Sequence, residues 1–173
     1  ARQKGTRPVV HIPFGDYPIA DTLMIPVSDI QLVGDGGRTR LLWTGSGAGP
    51  VLRVLGPSKA TLRDLAIDGT GRVDGVVVEK VDQMGARVYL DQAQLLSGKQ
   101  TNLFVNGLDD TYVQVEDVGY AYSSEAVSIK VTGGPRLRAG LPSAGRVNIF
   151  SGASSGNRIS YDVSDGAKVL VRD

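Results

Sequence analysis

Two families of short apolar strands recur along this chain and advance in step, and few folds allow that. Leu62-Arg63-Asp64-Leu65-Ala66-Ile67 aligns with Leu90-Asp91-Gln92-Ala93-Gln94-Leu95, which aligns with Val115-Glu116-Asp117-Val118-Gly119-Tyr120, at spacings of 28 and 25 residues. A second family, Val76/Val78, Leu103/Val105 and Val127/Ile129, repeats at 27 and 24 residues. Strands that keep step over twenty-odd residues are what successive turns of a solenoid produce, each pairing with the turns above and below at about 4.8 Å. The expected fold is all-β, a right-handed single-stranded parallel β-helix of roughly 24–28 residues per turn. Leu62, Leu90 and Val115 would then stack in one inward column, Leu65, Ala93 and Val118 in a second, and Ile67, Leu95 and Tyr120 in a third. An antiparallel β-sandwich also makes many short strands with turn signals, but gives no reason for two families to keep step.

At 173 residues the chain is read as one domain, with a lead-in and cap over 1–28, helical turns over 29–173 and a projecting loop at 132–146. That loop is rich in Gly and Pro, which forbid regular strand. Nineteen basic residues against eighteen acidic ones leave a net charge of +1, so no strong field draws nucleic acid or an anionic membrane. There is no cysteine, hence no disulfide framework and no thiolate zinc site. No run of apolar residues is long enough for a membrane-spanning helix. Val171-Arg172-Asp173 reads like Leu62-Arg63-Asp64, so a new strand begins at the chain's end. The expectation is a piece of a longer solenoid, or an open C-terminal end that pairs with another copy.

The segments Val10-His11-Ile12-Pro13-Phe14-Gly15-Asp16-Tyr17-Pro18-Ile19, Thr22-Leu23-Met24-Ile25-Pro26 and Ile30-Gln31-Leu32-Val33-Gly34-Asp35-Gly36 resemble the opening of pectate-lyase-like β-helix proteins. In that superfamily an apolar strand, a Pro-x-Gly turn, a Tyr and a Thr-Leu lead into the first full turn. The resemblance implies a parallel β-helix and a secreted or cell-surface setting, with any signal peptide absent from this chain. It leaves activity open, because lyases, hydrolases, tailspikes and non-catalytic solenoids share the beginning.

Hydrolysis on such a fold needs paired carboxylates, and lysis needs a base with a cation, commonly calcium, to neutralise an acidic sugar. Asp109-Asp110 is the adjacent acid pair, read either as catalytic candidates or as an ordinary turn. Asp91 and Glu116 share an outward column with Arg63, and Asp117 lies beside them; the column is either a ladder of surface ion pairs or a site for calcium or a sugar. Arg136 and Arg138, in the projecting loop, are candidates to meet an acidic sugar. Trp43 and Tyr112 are candidates to stack on sugar rings, whereas Tyr120 belongs to the core. His11 stands alone and points outward, which makes it a poor metal ligand. The functional expectation is a polysaccharide-associated β-helix, part of a carbohydrate-active lyase or glycoside hydrolase that is inactive alone. The alternative is a non-catalytic solenoid that binds glycans or serves as a structural module on a cell surface or a phage.

Overall fold

The computed structural model describes residues 8–26, 29–56, 59–123 and 125–172. Short strands wind into a parallel β-solenoid of about six turns, with three faces, and every strand pair is parallel. The first face holds β1 (Val9–His11), β4 (Gln31–Val33), β7 (Lys59–Arg63), β10 (Arg87–Asp91), the first halves of β13 (Tyr112–Ala121) and β15 (Arg146–Ser155), and β17 (Val169–Arg172). On the second lie β2 (Gly15–Ile19), β5 (Thr39–Trp43), β8 (Ala66–Asp68), β11 (Gln94–Leu96) and the second halves of β13 and β15. The third holds β3 (Leu23–Ile25), β6 (Leu52–Leu55), β9 (Val76–Glu79), β12 (Thr101–Leu108), β14 (Val127–Gly133) and β16 (Ile159–Ser164).

The register follows the first repeat family. Leu90 pairs with Leu62 below and Val115 above, and Leu95 with Ile67 and Tyr120. All six are buried, so the apolar column is continuous, and each large side chain removed from water contributes about 1.5–3 kcal/mol. The second family needs a correction. Leu103 pairs with Val76 as expected, but its partner above is Ile129, not Val127, which sits opposite Thr101. A slip of two residues keeps every side chain on its own side of the strand, so alternation alone cannot detect it.

The first and second faces meet at a single residue in left-handed conformation. Asp64, Gln92, Asp117 and Ser151 have φ of 54°, 48°, 49° and 54° and turn the corner on four consecutive turns. One residue suffices because the αL conformation redirects the chain while neighbouring backbone groups keep pairing between turns. The second corner is similar: Tyr122 has φ of 66°, which swings its ring out to 78% exposure while Tyr120 stays in the core.

Between β14 and β15 the chain makes its long excursion. Thr132 and Gly133 complete β14, and the loop proper carries a one-turn helix α1 (Pro135–Arg138) before β15 begins at Arg146. At the far end Phe150 pairs with Arg172, which puts Arg172 in the column of Arg63, Asp91 and Glu116. Asp173 lies outside the described residues.

Candidate functional site

Asp109 and Asp110 root the excursion. Both are buried, and each carboxylate is engaged on both oxygens. Asp109 Oδ2 accepts the Arg136 N–H at 3.2 Å and Oδ1 that of Leu137 at 3.1 Å, so it satisfies open amides of the first turn of α1. Asp110 Oδ2 meets Arg136 Nη1 at 2.9 Å, and Oδ1 accepts the Ala144 N–H at 3.1 Å. Ser143 Oγ and the Gly145 N–H both reach the Asp109 carbonyl. Gly134 and Gly145 pass so close to Asp109 that neither has room for a Cβ. The acid pair therefore clasps the loop against the solenoid, and Arg136 is spent inside the clasp. Arg138 stands 3.8 Å from Asp165.

Beside this clasp, on the first face, lies a groove of about 440 Å³, within the range typical of small-molecule sites. Met84, Arg87, Tyr89, Asp110, Tyr112 and Arg146 are among its lining residues. Tyr89 meets Tyr112 edge to face, with centroids 6.3 Å apart and planes at 64°. The Arg146 guanidinium lies 5.1 Å from the Tyr112 centroid, in cation–π contact. Tyr112 is fixed through its hydroxyl, which donates to Gln114 Oε1 at 2.9 Å and accepts from Asn148 Nδ2 at 3.0 Å. Arg87 and Arg146 are exposed and, among the described residues, have no carboxylate within ion-pair distance. Sequence reasoning singled out Tyr112 here but missed Tyr89, Arg87 and Arg146. Arg87 and Arg146 follow from the register of the first family, because they, like Tyr112, each precede a buried column residue by three positions, and Tyr89 lies two residues beyond Arg87 on the same outer side of β10.

The acidic column is on the same face, four residues further along each strand. Arg63 Nε lies 3.0 Å from Asp64 Oδ2 and 3.4 Å from Asp91 Oδ2. Glu116 accepts the Gln114 amide at 2.9 Å. Burial pushes the Asp91 carboxyl above its ordinary value; Arg63 opposes this, while Glu116, Asp64 and Asp117 add to it. Among the described residues no three acidic or histidine side chains come together to hold a metal ion. Trp43, expected to be free for stacking, is instead 2% exposed. It occupies an inward position of β5, where an indole fills the bore of the early turns, and it cannot meet a sugar. His11 is exposed and pairs with Asp35 at 2.8 Å.

A second concavity of about 300 Å³ opens on the third face, near Asp74, Phe104, Lys130 and Asp162. There Lys130 is paired with Asp162 at 3.5 Å and also lies over the Phe104 ring. Lys130 is thus ion-paired, unlike Arg87 and Arg146, while Arg158, in the same lining, donates its Nε–H to the Glu125 carbonyl at 3.3 Å.

No protein-family model matches the chain, and a search of curated proteins gives no relative. Among solved structures the chain is similar to ORF18 of Geobacillus virus E2, at 14% identity and a TM-score of 0.47, over 92% of this chain and 34% of that one. It spans about a third of the length of that viral protein.

Proposed function

We infer that this solenoid is a non-catalytic glycan-binding module whose groove lies between the clasp and the outer side of β10, β13 and β15. The observation that carries the reading is the Tyr89–Tyr112 pair, with Tyr112 fixed by hydrogen bonds, set beside two arginines that no acid neutralises among the described residues. Aromatic rings give a sugar an apolar platform, and free guanidiniums give its oxygens donors. Acid–base cleavage finds less support. A glycosidase needs two carboxylates free to exchange protons with the substrate, whereas Asp109 and Asp110 hold the clasp and Asp91 faces Arg63.

Affinity electrophoresis in gels cast with neutral and acidic polysaccharides tests this. Retardation by at least one polymer is expected, with most of it lost in Tyr112→Ala, and no reducing ends or unsaturated uronates released. Product release with the native chain, or migration unchanged in every polymer, would overturn the reading.

A further inference from the structure

The groove belongs to a longer feature. In strand register Arg87 sits above Lys59 and below Tyr112, and Tyr112 sits below Arg146. Lys168, the residue before Val169, follows Arg146 in the same register, since the Val147 N–H donates to the Lys168 carbonyl and Val147 pairs with Val169. One outer column therefore reads Lys59, Arg87, Tyr112, Arg146, Lys168 on five consecutive turns. With turns about 4.8 Å apart, it forms a straight cationic stripe about 20 Å long, parallel to the solenoid axis. All four cations are exposed. Lys59, Arg87 and Arg146 have no ion-pair partner among the described residues, and Lys168 donates only to the Ser143 carbonyl, at 2.8 Å.

Stacked like charges on paired strands are destabilising, so folding gives no reason for such a column. The geometry points to a linear polyanionic glycan, carboxylated or sulfated, lying along the axis with successive acidic groups over Lys59, Arg87, Arg146 and Lys168 and a sugar ring at Tyr112. This deepens the glycan-binding reading and rests on it. The step between turns is close to the length of one extended pyranose unit, so a regular acidic chain keeps pace with the cations. Single-stranded nucleic acid fits less well, because it is held by a series of aromatic side chains on which successive bases stack, whereas this column carries one ring, Tyr112, among four cations.

The test is binding of the whole chain, by titration calorimetry at low and raised salt, to polygalacturonate, dextran sulfate, neutral dextran and oligo-dT. Polygalacturonate or dextran sulfate is expected to bind, with affinity falling steeply as salt rises, since bound counterions are released. The two polyanions distinguish carboxylate from sulfate as the acidic group. Arg87→Ala and Arg146→Ala should each weaken binding about three- to tenfold, whereas Arg138→Ala, on the clasp, should change it less than about twofold. Thermal melts verify that these exposed substitutions leave the fold intact. Binding of neutral dextran that Tyr112→Ala abolishes and Arg87→Ala leaves unchanged would overturn the polyanion inference while sparing the glycan reading. Oligo-dT binding that is tighter than either polyanion and lost in the same arginine variants would overturn it in favour of nucleic acid. Failure of every polysaccharide, neutral or acidic, would remove both readings.

Discussion

Two columns run side by side on the first face, four residues apart in every strand, and they treat charge in opposite ways. In one, Arg63 lies against Asp64 and Asp91, so that opposite signs meet, and Glu116 follows beside Asp91. In the other, Lys59 and Arg87 stack below Tyr112, and Arg146 and Lys168 above it, with no acid to neutralise them among the described residues. Both stand on the same strands, with the same twist and the same buried residues beneath. The backbone cannot account for the difference, so the side chains record different demands. The first column is balanced within the solenoid, and the second is the one we propose meets a glycan outside it.

Three experiments sharpen or break that contrast. The largest effect lies under both columns. Leu90 is buried in β10 between Leu62 and Val115, and Leu90→Ala should cost about 2–5 kcal/mol in denaturant unfolding. A loss well below that range would mean that the outer columns, not the core, hold the strand. Exchanging the charge logic should have a smaller effect. Arg87→Glu should raise stability by about 0.2–1 kcal/mol by relieving stacked cations, and the double change Asp91→Lys with Glu116→Lys should lower it by a similar amount, because it sets a second cation against Arg63 while positions 91 and 116 remain like-charged. Equal responses of the two columns in urea unfolding would end the distinction between them.

The smallest effect is in pH. The Asp91 carboxyl is raised above its ordinary 3.8 in the folded chain, burial being the main cause. The folded state then holds this proton more tightly than the unfolded one, so the contribution of Asp91 is fully present below 3.8 and is lost as pH rises through the raised value. The melting temperature of the native chain, less that of Asp91→Asn, should therefore fall between about pH 3 and pH 6. A difference that grows over this interval would show that Arg63 outweighs burial.

Much of this architecture can be read from the residues. The steps Leu62 to Leu90 to Val115 are also the strand register, because bulky inward positions recur on every turn. The second face is harder to see, since the first-family repeat runs straight through the corner between it and the first. A signal was nonetheless present: inward residues step by two within a strand, but by three from Leu62 to Leu65, Leu90 to Ala93 and Val115 to Val118. That odd step spans the αL residue at which the chain turns. The groove stayed hidden for a different reason. Its residues are ordinary surface types, and only stacking of turns brings Arg87, Tyr112 and Arg146 together. Trp43 misled because a large aromatic fits both a sugar platform and a core, and burial follows from packing that no local pattern specifies.

The two ways in which this chain turns corners divide its tolerance to change. Where one left-handed residue joins two faces, an added or deleted residue would shift every later position and break the columns. Where β14 passes to β15, a span from Gly134 to Gly145 is held by two adjacent aspartates at its root while the strands on either side keep their register. That joint behaves as a socket: segments of other length or chemistry can be seated there without disturbing the coil. Diversity in what the groove accepts would then arise by replacing its wall rather than by rebuilding its floor.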